Sequence, residues 1–417
     1  MQRLKGFREF FPEPLPPGQE WSCDLRQHIQ DCWRRTARRY GFREYDGPPL
    51  EPLELYTAKS GDEIVGQLFN FEDKGKDAVA LRPEMTPTVA RMVAATERAY
   101  RKPIKWFSMP QLFRYEMPQK GRLREHYQLN CDLFGETDPG ADAEVIALMI
   151  DVLRSLGLGE EDFVIRLSSR KAWQEFFERE GGKVEAAYAF FQAVDKMERD
   201  DAETFARRLE PTGIRPEAVR AFVSEGKPTV ELQGILDNLT ARGLGGYVRL
   251  DYGVIRGLAY YTGVVFEAFD RKGEFRAIAG GGRYDGLVEM LSGGKVRMPA
   301  LGFGMGDVVL ALLLRERGLV PSFESTIDVV VLVEDETLRG ESLGLVQRLR
   351  EAGRAVDYTL TPLKADKQFK RALELGAGHW ARLERGEDGG LVVRVKDLKT
   401  RVERVGKPGE EPALLAE

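Results

Sequence analysis

The chain has 417 residues, room for two or three domains of roughly 150 residues each. With 42% hydrophobic and 31% charged residues it reads as a soluble globular protein, which excludes disordered, collagenous and coiled-coil classes. The 62 Lys and Arg against 67 Asp and Glu leave a net charge of -5, which excludes a uniformly basic nucleic-acid coat and leaves only a local basic groove for such a partner.

Prolines and a glycine in EFFPEPLPPG interrupt regular structure, and the following segment predicts a helix with Trp21, Leu25, His28, Cys32 and Ala37 on one side. GFREYDGPPLEP is an extended piece with turns. From Gly66 to Gly135 short strands are expected at QLFNFED, AVALRPE, IKWFSMPQLFRYE and HYQLNCDLFGE, a pattern of antiparallel sheet, with PTVARMVAATERAY as a helix packed on it. ADAEVIALMIDVLRSLG predicts an amphipathic helix closed by Gly157, and DFVIRLSSR a strand. Residues 171–240 are helical throughout, either an insertion in the catalytic domain or a small domain of their own. Strands return at YVRLDYG, VVFEAFD and FRAIAG, and GFGMGDVVLALLLRERG predicts a glycine-entered helix. A boundary is expected near RGLVPSFEST. Beyond it IDVVVLVED, AVDYTL, HWARLER and GLVVRVKDL are strands, and SLGLVQRLREAG and KQFKRALELGA are helices, a small α/β domain over 326–406 with a partly parallel sheet. Residues 407–417 are expected to be a frayed tail.

The three cysteines, Cys23, Cys32 and Cys131, form no CxxC pair, and His28, His126 and His379 are scattered, so a zinc site is not expected. The N-terminus carries no cleavable apolar run, and no stretch reaches the roughly 20 apolar residues that span a bilayer. A cytoplasmic protein without membrane association is the expectation.

Three segments offer chemistry. FRYEMPQKGRLREHYQ places Arg114, Lys120, Arg122 and Arg124 with Glu116 and Glu125 on a strand-loop-strand. Guanidinium groups give bidentate donors suited to a polyphosphate, and a carboxylate can orient Mg²⁺ or an adenine amine; a solvated charged hairpin is the competing reading. LRPEMTPTVARM puts Arg82, Glu84 and Thr86 at alternate positions, one face of an extended segment, where a carboxylate beside a hydroxyl can receive an ammonium group. DYGVIRGLAYYTGVVFEAF supplies Arg256, Tyr260 and Tyr261, followed by the glycines of IAGGGRYDGL with Arg283, Tyr284 and Asp285; these match neither a P-loop nor a dinucleotide fingerprint.

Taken together, and over nearly the whole length, these segments resemble the histidyl-tRNA synthetase family of class II aminoacyl-tRNA synthetases. The hairpin is similar to that family's second class-defining motif, RPEMT to its histidine-side strand, RGLAYYTGVVFE and GGGRYDGL to its histidine-specific segments, and residues 326–406 to its anticodon-binding domain. The resemblance implies an α+β catalytic domain over 1–320 on a mostly antiparallel sheet, with the helical insertion and a C-terminal α/β anticodon-binding domain. It implies a homodimer that joins L-histidine to histidine tRNA through histidyl-adenylate, with ATP as substrate and Mg²⁺. Residue by residue, it implies Glu84, Thr86, Gln128 and Asp132 at the histidine α-amino group and Tyr260 and Tyr261 around the imidazole. It implies Arg114, Glu116, Arg122 and Arg256 at ATP, with Arg114 and Arg256 on either side of the reacting phosphate. Gln128 and Asp132 also lie four apart on one expected strand and so share a face.

The chain departs from the family pattern at three places. The third motif's arginine, which holds the terminal phosphate, is replaced by Val309 in GFGMGDVV, where the nearest charge is Asp307. Ala259 stands where an aspartate usually precedes the paired tyrosines, and Phe7 and Glu9 replace a threonine and an aspartate in KGFREF. The alternative is a histidine-binding paralogue without aminoacylation, similar to the regulatory subunit of ATP phosphoribosyltransferase; that relative generally lacks the anticodon-binding domain, which this sequence retains.

Overall fold

A computed structural model describes residues 2–60, 66–119, 121–254, 261–323 and 327–415. The chain divides into two compact units, Met1–Pro321 and Ser322–Glu417.

The first unit is built on one large sheet. Its strands run in the order Arg43–Glu44, Ile104–Ser108, Glu125–Phe134, Ala300–Gly306, Ala279–Arg283, Val264–Asp270, Phe163–Ser169 and Val248–Leu250, and Gln111–Phe113 pairs with the start of the long strand Glu125–Phe134. Only the two outermost pairs are parallel. The interior is antiparallel, as expected from short strands joined by charged turns.

Register decides what the sheet presents on each face. Gly302 lies opposite Asp132 on one side and Gly282 on the other, and Gly304 lies opposite Asn130 and Gly280. Because side chains alternate along a strand, Gly280, Gly282, Gly302, Gly304 and Gly306 share one face with His126, Gln128 and Asp132. Phe266, Gly281, Phe303 and Cys131 fall on the other. A Cβ on Gly281 would lie 2.2 Å from the Gly302 carbonyl oxygen, so that glycine is required by the strands themselves.

Helix Cys23–Arg39 begins where Ser22 Oγ accepts the Leu25 N–H at 3.1 Å, a side-chain cap of an otherwise unsatisfied donor. It buries Leu25, Ile29, Cys32, Trp33 and Ala37. Helix Pro139–Arg154, capped by Asp138, is buried along most of its length and packs on helix Cys23–Arg39 and strand Ala300–Gly306. On the glycine-bearing face, Val89 and Val93 of helix Thr86–Thr96 and Leu287 and Val288 of helix Leu287–Leu291 cover Trp106, Phe134 and Ala300, leaving the other half of that face open.

Several expectations are corrected. Arg82, Glu84 and Thr86 do not share a strand face, because the strand ends at Leu81 and Thr86 opens the next helix with Pro87 at its start. FRAIAG contributes only its end to a strand; the strand is Ala279–Arg283, the glycines included. GFGMG is not a helix entry but part of strand Ala300–Gly306, and the helix runs Asp307–Glu316. The helical block forms five α-helices between Arg170 and Ala241, within the first unit. Trp173, Phe176, Phe190 and Phe222 make its core with Tyr252, whose carbonyl accepts the Trp173 indole N–H at 3.1 Å.

In the second unit the strand order is Val356–Tyr358, Val329–Leu332, His379–Arg385, Leu391–Asp397 and Glu403–Gly406, the first three parallel and the rest antiparallel. Helix Arg339–Glu351 packs its Leu345, Val346 and Leu349 on one face, and Ala372 of helix Ala365–Glu374 joins Trp380 on the other. The expected frayed tail is instead folded back: helix Glu411–Leu414 buries Glu411 against Arg348 at 2.6 Å, and Leu415 joins the core. Two apolar residues and one paired carboxylate suffice to anchor a segment whose composition alone reads as loose.

Candidate active site

The open half of the glycine-bearing face is a cavity of about 720 Å³, walled by the loop after Phe113, the strands of the sheet and the end of the second helix of the helical block. Its floor is low because glycines leave room for the side chains of the neighbouring strand. A Cβ on Gly304 would lie 2.8 Å from Gln128 Oε1, and one on Gly302 would lie 2.3 Å from Asp132 Oδ1. The same device seats Tyr261, whose ring would lie 2.8 Å from a Cβ on Gly282.

Asp132 is almost completely buried. Its Oδ1 accepts a hydrogen bond from the Tyr284 hydroxyl, while its Oδ2 is buried with no hydrogen-bond partner among the described residues. Burial pushes its pKa up to about 7, opposed by the Tyr284 hydrogen bond. The hydroxyls of Tyr45 and Ser108 are buried beside each other on the same side of the sheet. An ammonium group, with three donors and a positive charge, suits such a deficit. Gln128 stands four residues earlier on the same strand and face and lines the cavity, whereas Asp132 lies about 13 Å further along that face and is not one of the lining residues.

At the other end, Arg114 is held by its backbone N–H to the Arg124 carbonyl at 2.9 Å and by Nε to the Pro83 carbonyl at 2.9 Å. The second bond ties the loop after Phe113 to the residue beside Glu84. Glu116 pairs with Arg122, and Gln119 and Arg122 close the turn with reciprocal backbone hydrogen bonds. Gly121 has φ of 75°, a left-handed conformation that glycine adopts without strain. Arg124 points away, its guanidinium 4.2 Å over the Tyr115 ring. Glu84 is buried and Thr86 partly so. Arg256, Tyr260 and Lys120 lie outside the described residues.

Three candidates from the sequence serve the scaffold. Arg82 is buried and donates to Asp46 Oδ1 at 3.0 Å and to the Gly47 carbonyl at 2.7 Å. Arg283 reaches Asp142 Oδ2 at 2.5 Å and the Glu136 carbonyl at 2.8 Å. Asp307, the charge nearest Val309, is tied to Arg8 at 2.8 Å and accepts the Tyr127 N–H at 3.0 Å, and Arg8 also holds Glu125 at 2.6 Å.

Sequence reasoning missed His126, Tyr284 as the partner of Asp132, and Arg8. His126 sits two residues before Gln128 on the same strand, so alternation alone would have found it. Burial, with Arg114 and Arg8 nearby, pulls its pKa down to about 3, so it is neutral at ordinary pH.

The family signature of histidyl-tRNA synthetase matches residues 11–306. A histidine–tRNA ligase from Opitutus terrae is 46% identical over 96% of this chain and 95% of its own length, and one from Natronomonas pharaonis is 41% identical over 86% and 84%. The chain belongs to the histidyl-tRNA synthetase family. It is therefore an aminoacyl-tRNA synthetase, an enzyme of the ligase class. Its fold is similar to the crystal structure of histidyl-tRNA synthetase from Nostoc sp. PCC 7120, with a TM-score of 0.75, 23% identity and coverage of 97% of this chain and 99% of that one.

Proposed function

We propose that this cavity joins L-histidine to ATP and passes the histidyl group to histidine tRNA. The observation that carries the reading is the buried Asp132 Oδ2, without a hydrogen-bond partner among the described residues and on the same strand face as Gln128, which suits an ammonium donor. Glu84 and Thr86 complete the amino end, and Tyr260 and Tyr261 wall the imidazole. Arg114, with Glu116 and Arg122 beside it, neutralises the α-phosphate together with Arg256, which the family resemblance assigns to the other side of that phosphate. The histidine carboxylate then attacks that phosphorus in line; the new C–O–P bond forms as the bond to the bridging oxygen breaks, and pyrophosphate leaves with the electron pair. No protein base is required, because the nucleophile is already ionised, so positioning and charge stabilisation do the catalysis.

Glu116 on the loop after Phe113 and Glu267 on strand Val264–Asp270 are among the carboxylates lining the cavity, with Asp195 and Glu198 on the helical side, and oxygen donors of this kind suit Mg²⁺. They would hold it against the triphosphate, where the ion supplies neutralisation of phosphate charge. Among the described residues no cluster of three His, Cys, Asp or Glu groups has metal-binding spacing. No described helix is long and apolar enough to cross a membrane, and a cytoplasmic homodimer is the proposed working form. The second unit, Ser322–Glu417, is proposed to bind the anticodon arm.

The test is charging of histidine tRNA by the full chain beside Asp132→Asn. Charging by the parent, with a rise of about 10²-fold or more in the histidine KM for the variant, is expected from loss of a buried charge-assisted contact. Equal histidine KM values in the two proteins would remove the assignment of the amino pocket.

A further inference from the structure

Val309 faces the cavity where the family carries an arginine for the terminal phosphate, and it is buried and apolar. We propose that Arg276 takes that task in this chain, binding the β- and γ-phosphates of ATP from across the turn at Gly121.

The position of Gly121 links the two side chains. A Cβ on Gly121 would lie 3.4 Å from Val309 Cγ2 and 3.9 Å from Arg276 Cδ, so valine and arginine converge on one turn of the phosphate-side loop. Gly121 itself has no side chain to separate them. The backbone is anchored two residues beyond Arg276, where Ile278 is buried and its N–H bonds to the Ala268 carbonyl at 2.8 Å.

The guanidinium is uncommitted. Among the described residues Arg276 makes no hydrogen bond or ion pair, whereas Arg8, Arg166, Arg283 and Arg317 are each bound to carboxylates. Glu116, an acid whose charge acts on Arg276, is already paired with Arg122. Arg276 instead faces like charge, and partial burial, then Arg122, lowers its pKa, with Arg199 acting in the same direction and Glu116 against it. Guanidinium groups turned toward one another across a cavity repel unless an anion lies between them, and a polyphosphate relieves that repulsion while accepting bidentate hydrogen bonds.

This inference rests on the reading of the cavity as an ATP site, and direct binding separates the two. Full-length protein and Arg276→Ala are titrated calorimetrically with ATP, inorganic pyrophosphate and AMP, each with Mg²⁺ and without histidine. Loss of about tenfold to 10²-fold in affinity for ATP and pyrophosphate is expected, with AMP affinity unchanged within about twofold, because AMP carries only the phosphate next to Arg114. Retained AMP binding also reports an intact fold. Unchanged ATP and pyrophosphate affinity, a parallel loss for AMP, or a parent protein that binds no ATP would each overturn the assignment. A chain that binds ATP through Arg276 yet forms no adenylate would leave it standing and sink the ligase reading instead.

Discussion

Asp132 is the residue on which the site turns, and its protonation gives the sharpest pH dependence. Its pKa is raised to about 7, so in the free protein the carboxylate proposed to receive the ammonium group is neutralised as pH falls below that value. Histidine affinity should fall about tenfold per pH unit below about 7. The substrate imidazole also titrates there, but it is common to all variants. Tyr284→Phe removes the hydrogen bond that opposes the shift, so the fall should begin at higher pH in that variant; coincident KM–pH profiles would show that Asp132 does not control binding. In the folding equilibrium the sign is that of a raised acid: the proton stays on Asp132 in the folded state, so its contribution to stability is full below the unfolded pKa of roughly 4 and is lost as pH rises towards about 7. Arg8 has the opposite character, a buried cation fully committed to Glu125 and Asp307. Arg8→Met should cost about 3–5 kcal/mol in urea unfolding, because two buried carboxylates lose their partner. A loss below about 1 kcal/mol would mean that those acids take up protons at little cost.

At the scale of elements, the glycine-bearing strands make the cavity possible. Gly302→Ala brings a Cβ within 2.6 Å of the Cys131 carbonyl as well as onto Asp132, so a backbone must shift, and a loss of about 1–3 kcal/mol is expected. Gly234, inside helix Val230–Ala241, has open space on its side-chain side, with nothing within 4 Å of where a Cβ would stand, and Gly234→Ala should stabilise by about 0.5–1 kcal/mol. Urea midpoints for the pair check both signs, and equal shifts would contradict the packing argument. The strands themselves were legible because alternation and β-branched or aromatic residues mark them, and Gln128 and Asp132 were placed on one face by spacing alone. The strand Ala279–Arg283 was misjudged at its start because glycines carry no strand signal; they are tolerated there by close strand contacts that only the register reveals. Arg82 and Arg283 look like ligands in sequence, since a buried structural guanidinium and a phosphate-binding one have the same chemistry. What separates them is whether carboxylates and carbonyls from distant segments reach them, and Asp46 and Asp142 were invisible in that role.

For the whole molecule, a net charge of -5 means that tRNA must be met through local patches. Lys364, Lys367, Lys370 and Arg371 form a basic run at and within helix Ala365–Glu374 that is partly spent: Arg371 pairs with Asp357 at 2.9 Å and Lys370 with Glu374 at 3.6 Å. Lys364 and Lys367 are the better candidates. Lys364→Ala with Lys367→Ala should raise the KM for histidine tRNA several-fold and flatten its dependence on salt, leaving tRNA-independent chemistry unchanged. An unaltered tRNA KM would move the contact elsewhere in the chain. The family and the order of its motifs were readable along nearly the whole sequence, whereas the folded C-terminal helix, the Arg8 network and the convergence of Arg276 on Val309 depend on contacts between segments far apart in the chain. The central claim, that the cavity activates histidine, is tested most directly by ATP–pyrophosphate exchange in the absence of tRNA. The account predicts exchange that requires histidine and Mg²⁺ and is negligible with other amino acids. Histidine binding by a folded protein without any exchange would contradict it and identify a binding paralogue in place of a ligase.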